Sequence, residues 1–189
     1  MSGAIKLPEP FTDGDLTLRP PLLTDVARIA QICRDPAIGH FTTVPVPYDQ
    51  EAARWWVEFA TGRLTEGSGA HLVVEEDGEI VGAVGLDVHG LDRAGRLGYW
   101  VAPEARGRGI ATRASRLMCQ WAFDEDGLDL VRIELDAAAV NEGSNAVARA
   151  LGFTHEGTRR SAMLLVETDG FPEERSDAND WGLLRGELT

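Results

Sequence analysis

Apolar positions change their spacing several times along the chain, and each change marks an element. Leu16-Thr-Leu-Arg19 alternates like a strand until Pro20 and Pro21 break it. From Thr24 onward, Val26, Ile29, Ala30 and Cys33 recur at helical spacing. Asp49 stands as the N-cap of a second helix with Ala53, Trp56, Val57 and Ala60 on one face, and Arg63 to Gly69 reads as a loop. His71–Glu75 and Glu79–Val88 flank Asp77-Gly78, a strong two-residue hairpin signal. A loop rich in Gly and Asp follows, then a third apolar run, Leu97–Ala102, which Pro103 ends.

The second half alternates strands with helices. A helix is expected from about Gly109, with Ile110, Ala114, Leu117, Met118 and Trp121 on one face. Val131, Ile133, Leu135 and Ala137 then alternate with Arg132, Glu134 and Asp136, the pattern of a half-buried strand. A short helix around Ser144–Leu151 closes on Gly152. Strands from Phe153 and at Trp181–Leu184 complete the chain, joined by an acidic loop, Glu167 to Asp180. This order predicts an α/β (α+β) fold with right-handed strand–helix–strand crossovers. We expect a leader over 1–15 and one domain over 16–189.

Composition narrows the functions this domain can serve. The 189 residues carry 18 Lys and Arg against 31 Asp and Glu, a formal net charge of −13. Surfaces that hold nucleic acid or anionic lipid normally show the opposite balance, so neither partner is expected. No apolar run approaches the ~18 residues of a membrane span, and the start has no apolar signal core, so a cytoplasmic location is expected. Lys6 is the sole lysine, which removes Walker-type phosphate loops and pyridoxal enzymes. Cys33 and Cys119 lie far apart, the four histidines show no ligand spacing, and no Gly-x-Ser-x-Gly elbow occurs. A disulfide framework, a bound metal and that class of nucleophilic hydrolase are therefore not expected.

The informative segment is Tyr99-Trp-Val-Ala-Pro-Glu-Ala-Arg-Gly-Arg-Gly-Ile-Ala-Thr112. A strand stops at a proline, and Arg106-Gly107-Arg108-Gly109 leads straight into a helix. Unpaired N–H groups and the positive dipole end at a helix start attract anions. Glycines admit close backbone approach, and two arginines offer forked donors to phosphate oxygens. The segment reads as a pyrophosphate cradle, set against a plain basic turn at a helix start. A dinucleotide fingerprint fits poorly, because Thr112 stands at its third glycine position and the loop comes late in the chain.

Arg106-Gly-Arg-Gly-Ile-Ala111 resembles the Q/R-x-x-G-x-G/A motif of the GNAT N-acetyltransferase superfamily. Leu16-Thr-Leu-Arg-Pro20, Gly98-Tyr-Trp100, Asn141-x-x-Ser144 and Leu151-Gly-Phe-x-x-Glu-Gly157 resemble its ribosomal-protein N-terminal acetyltransferase branch. The resemblance implies a sheet splayed between the strands Leu97–Ala102 and Val131–Ala137, with acetyl-CoA as cosubstrate in the gap. It implies pantetheine along the backbone of Trp100 and Val101, and the pyrophosphate over Arg106, Gly107, Arg108, Gly109, Ile110 and Ala111. Asn141 would touch the pantetheine arm, and Ser144 would sit near the sulfur. A homodimer is also implied.

The implied chemistry is direct attack of a neutral amine on the thioester. It needs a polarised carbonyl, a base for the amine and a proton for the thiolate. A backbone N–H of the Tyr99–Val101 strand would polarise the carbonyl, and Ser144 and Tyr99 are the candidate catalytic groups at the thiolate. Each has a plainer role beside it: Ser144 as a helix-capping hydroxyl, Tyr99 as core, Asn141 as the close of a strand-to-helix turn. The base is not assigned. Met163 stands where related enzymes often carry Glu, and Arg96 replaces an acidic residue before Gly-Tyr-Trp. Glu104 and Asp87 are weak substitutes, and water is another route. The acidic loop would attract a cationic acceptor, whether a protein N terminus, a polyamine-like amine or an antibiotic amine. No cation is placed to select a succinyl chain. Two other readings stand beside this one: a catalytically silent acyl-CoA-binding module, and a nucleotide-binding oxidoreductase.

Overall fold

The computed structural model describes residues 3–89 and 91–189. Strands β1 (Thr12–Asp13) and β2 (Leu16–Arg19) open an eight-stranded sheet and are followed by helices α1 (Val26–Ile32), α2 (Pro36–Phe41) and α3 (Gln50–Glu66). A meander of β3 (Gly69–Glu76), β4 (Glu79–His89) and β5 (Ala94–Val101) leads to α4 (Ile110–Phe123). Then come β6 (Arg132–Ala138), α5 (Glu142–Leu151), β7 (Thr154–Leu165) and β8 (Glu174–Leu184). The strand order is β1-β2-β3-β4-β5-β6-β8-β7. β5 and β6 are parallel, and the other pairings are antiparallel.

Local chemistry explains most boundaries. Asp77 and Gly78 both take positive φ, +50° and +83°, as a type I′ turn between β3 and β4 requires. Asp49 caps α3 by accepting from the Ala52 N–H at 2.9 Å. That helix runs through Arg63 to Glu66, where a loop was expected, because Gly67 at φ +74° supplies a left-handed stop. Asp35 and Pro36 form an N-cap and first-turn proline that start α2, a helix absent from the periodicity reading. The acidic stretch Glu167–Asp180 is a loop only in its first part, since β8 already begins at Glu174.

The helices cover the sheet on two faces. Trp56 of α3 meets Trp100 of β5, ring centroids 6.2 Å apart, while the neighbouring Tyr99 reaches α5. Successive strand residues point to opposite faces, so α3 and α5 lie on opposite sides. α1 packs with α3, and α4 packs on β4 and β5 beside α5. Between these layers lie Leu72, Leu86, Ile110, Met118, Ile133 and Leu183, all fully buried. The segment before β2 is drawn onto this body: Phe11 is buried edge-on to Trp121, and the Ile5 N–H donates to Leu64 C=O at 2.8 Å.

An ion cluster locks β2 to the start of α1. Arg19 reaches Asp25 at 2.7 Å and Glu75 of β3 at 2.8 Å, and Asp25 also accepts from the Leu22 N–H at 2.7 Å. Burial alone would raise the Asp25 carboxyl, but the Arg19 guanidinium and Leu22 N–H outweigh it, so its pKa lies below the ordinary value. Asp25 therefore stabilises the fold fully above the ordinary carboxylate range, and the contribution is lost as pH falls through the lowered pKa. Asp25→Asn is expected to cost about 2 kcal/mol at neutral pH. Urea titrations from pH 7 to pH 3 should show a smaller loss of stability toward acid in the variant than in the parent.

Candidate functional site

The sheet opens where β5 and β6 part. Their register holds for Ala94↔Arg132, Gly95↔Ile133 and Arg96↔Glu134, and then stops. β5 nevertheless continues to Val101, paired with β4 throughout, and β6 continues to Ala138, paired with β8. The facing edges beyond Arg96 and Glu134 thus present backbone groups unused by the sheet. The Ala102 N–H bonds Val81 C=O, and Trp100 C=O lies against Gly82, so these residues direct their polar groups to β4. By alternation, Tyr99 and Val101 direct theirs into the gap, where Val101 C=O accepts from Arg106 Nε at 3.3 Å.

Two hydroxyls meet across this gap, beyond the Arg96–Asp136 ion pair at its closed end. Tyr99 Oη lies 2.9 Å from Ser144 Oγ in the first turn of α5, and either hydroxyl can donate. Burial pushes the Tyr99 phenol up to about 12, the Ser144 bond offsetting part of the shift, so the phenol holds its proton at neutral pH. Ser144 does not cap α5. Asn141 does, its Oδ1 accepting from the Ser144 N–H at 3.1 Å, which fixes the serine at the helix start.

Behind that turn sits a polar residue that the sequence reading passed over. Asn145 is 2% exposed, and every polar atom of its side chain is used. Its Nδ2 donates to Ala138 C=O at 2.9 Å and Asn141 C=O at 2.8 Å. Its Oδ1 accepts from Asn179 Nδ2 at 2.9 Å and Trp181 Nε1 at 3.1 Å. The end of β6, the start of α5 and β8 are thereby tied at one point. The available signal was an asparagine on the apolar stripe it shares with Ala148 and Leu151.

The glycine–arginine loop lies between β5 and α4. Gly107 and Gly109 adopt φ +72° and +77°, and a Cβ at either would meet nothing within 4 Å. Gly109 is the N-cap of α4 and provides no side chain to its first-turn N–H groups. Both arginines are held by carboxylates: Arg106 by Asp35 of α2 at 2.5 Å, Arg108 by Glu76 of β3 at 2.8 Å. Ile110, the first residue of α4, is buried, and Ala111 follows half-buried. The two glycines therefore leave the loop's backbone open to close approach, with both guanidiniums held by carboxylates.

The expected acids and bases fall elsewhere. Glu104 pairs with Arg28, whose hydrogen bond holds its carboxyl below the ordinary range. Asp87 is tied to His71 at 3.0 Å and to Arg63; burial would raise its pKa, but these two bonds outweigh it and lower it. Both are ionised and occupied. Met163 lies on β7 just past an irregularity in its pairing with β8, and Arg96 pairs with Asp136 at 3.3 Å.

Comparison with known proteins fits this geometry. The family model for the acetyltransferase (GNAT) domain matches residues 15–154. YdaF of Bacillus subtilis (strain 168), assigned as a ribosomal N-acetyltransferase, is 41% identical over 90 residues, covering 46% of this chain and 47% of its own. Spermidine N(1)-acetyltransferase of Escherichia coli (strain K12) is 36% identical over 86 residues, 45% of each chain. The chain thus spans about half the length of the curated relatives it matches. RimJ of Mycobacterium smegmatis, solved in complex with CoA-disulfide, superposes with a TM-score of 0.75 at 25% identity, covering 89% of this chain and 81% of that one.

Truncating the buried amide tests how the gap is held. Asn145→Ala strands the Trp181 indole N–H and takes the partner from the Asn179 amide, while Ala138 C=O keeps the Asn141 N–H at 2.9 Å, so a loss of about 1–3 kcal/mol is expected in urea unfolding.

Proposed function

Because the chain belongs to the GNAT acetyltransferase domain family, we propose that it transfers the acetyl group of acetyl-CoA to a primary amine by direct attack on the thioester. The observation that carries this reading is the parting of β5 from β6 after Arg96, with Tyr99 and Ser144 joined across it.

Each part of the gap has a task in this reading. The outward backbone of Val101 and Tyr99 takes the pantetheine arm as a missing strand would be taken, so Val101 serves it more directly than Trp100. The diphosphate rests on the N–H groups of Gly107, Gly109, Ile110 and Ala111, where the helix dipole favours anions. Arg106 and Arg108 turn toward it from Asp35 and Glu76, exchanging one set of charge-assisted bonds for another. Asn141 bounds the pantetheine side while it caps α5. Acetyl-CoA supplies the activated carbonyl that the amine attacks. Tyr99 holds the proton that the leaving sulfur needs, and Ser144 orients that hydroxyl.

We take the acceptor to be a cationic primary amine. The net charge of −13 and the exposed Glu167, Asp169 and Glu173 on the loop after β7 favour such a molecule. The likeness to the polyamine and ribosomal acetyltransferases makes spermidine and peptides with free N termini the first acceptors to try.

The test has a binding arm and a turnover arm. Acetyl-CoA at ~100 times its Kd adds about 2.7 kcal/mol and should raise Tm by several degrees. Gly109→Ala places a Cβ on a left-handed residue in the cradle and is expected to remove most of that rise. Free thiol should appear when an amine is added, and Tyr99→Phe is expected to slow it about 100-fold while leaving the acetyl-CoA shift in place. Binding without thiol release would favour a silent acyl-CoA-binding domain. No shift with any CoA compound would remove both readings.

A further inference from the structure

Amine acetylation leaves one proton without a destination in the groups described so far. Glu104 and Asp87 are ion-paired, Tyr99 retains its own proton, and Met163 has no acid–base chemistry. His40, near the end of α2, is 3% exposed and has no part in the chemistry above.

The setting of this imidazole fixes its tautomer. His40 Nδ1 lies 2.8 Å from Val166 C=O, an oxygen that can only accept, so Nδ1 carries the hydrogen. Nε2 of the neutral ring is then a free lone pair, and no described residue hydrogen-bonds it. It is also not among the side-chain atoms sealed from solvent without a partner. The ring is clamped by aromatic neighbours: it stacks on Phe171 at 4.7 Å and meets Phe41 edge-on at 4.6 Å. A buried imidazole with one nitrogen fixed and the other unused has the form of a proton acceptor.

Its position matches the need. α2 crosses between the two sides of the splayed sheet. At one end Asp35 holds Arg106, just past β5. At the other, His40 holds Val166 of the loop joining β7 to β8, and the same loop runs back along the helix, where Thr168 Oγ1 donates to Pro36 C=O at 3.0 Å. β8 is in turn the partner of β6 as far as Ala138↔Ala178. Tyr99 and Ser144 act from the α5 face. Thr168 also lies against Gly39 in the middle of α2, so this helix and the loop form one wall at the open end of the gap.

We infer that His40 is the general base that deprotonates the acceptor amine, an assignment that rests on the acetyltransferase reading above. The entering ammonium gives one proton to His40 Nε2. Its freed lone pair forms the C–N bond as the C–S bond breaks, and the thiolate takes the proton of Tyr99 Oη. The second proton leaves the new amide nitrogen and restores Tyr99 through solvent, while His40 discharges its own to bulk water. The other titratable groups on these elements are Asp35, held by Arg106, Arg34, whose Nε donates to Tyr48 C=O at 3.3 Å, and the exposed Glu167, Asp169 and Glu173. None of them hydrogen-bonds the His40 ring.

The decisive variant is His40→Asn, whose amide N–H replaces Nδ1 toward Val166 but cannot take a proton. Thiol release with acetyl-CoA is followed from pH 5.5 to 9.5 (~4 pH units, spanning the imidazole range) with spermidine and with a peptide bearing a free N terminus. We expect kcat/KM to fall about 100-fold near neutrality, and the acid-side break of the parent profile to vanish. The limb set by the acceptor's own amine should remain, and so should the acetyl-CoA-dependent rise in Tm. His40→Phe, which keeps the stacking on Phe171, serves if the asparagine variant shows no such rise, with the same profile expected. Turnover with an unchanged rate and pH break in a folded variant overturns the assignment of His40 alone. Acetyl-CoA binding by the parent without thiol release from either amine overturns the transferase reading and this assignment together.

Discussion

Two parallel strands paired over three residues and then forced apart govern the rest of this structure. The divergence of β5 and β6 follows from what each strand is bound to on its other side. β5 is held along its whole length by β4, and β6 is held by β8. Asn145 then pins the end of β6 to α5 and to Trp181, and so prevents the sheet from closing by a simple shift. Unpaired strand edges are costly inside a protein unless something satisfies them. The gap's backbone groups therefore need partners from outside the sheet, and Tyr99 and Ser144 place two hydroxyls beside them.

Arginine–carboxylate pairs position the elements around that opening. Arg19 fastens β2 to α1 and β3, Arg106 fastens the glycine loop to α2, and Arg108 fastens it to β3. Most of these contacts are partly exposed, and each is worth little alone. Their value lies in geometry, because a planar guanidinium fixes direction as well as distance. The same pairs hold both guanidiniums away from the glycine backbone, which has open space at Gly107 and Gly109.

The sequence made the skeleton legible and hid the joins. Period-two and helical patterns found the meander, α4, β6 and α5, since each of those elements buries one face. The Arg106–Ala111 motif marks the loop, and Tyr99 and Ser144 stand in two separate motifs whose hydroxyls the fold brings to 2.9 Å. α2 escaped because six residues are too few to show a helical period, although Asp35-Pro36 carries its start signal. The end of α3 was misread because Arg63 to Gly67 looks polar throughout, and only the left-handed glycine reveals where the helix stops. Asn145 and His40 matter through long-range partners, at Trp181 and Val166, which no local pattern encodes.

The sheet's two outer edges are built differently from its interior. At one side it ends in β1, a strand of two residues. At the other it ends in β7, whose pairing with β8 is broken twice, between His155 and Gly157 and between Arg159 and Met163. Ser161 inside the second break adopts φ +52°, and Arg159 and Arg160 stand exposed beside it. Shortness, bulging and charge are the devices by which soluble proteins keep foreign strands from adding to an edge. Edge-to-edge aggregation is thus discouraged at both margins, and the backbone best able to accept an extended guest lies inside the sheet, at β5.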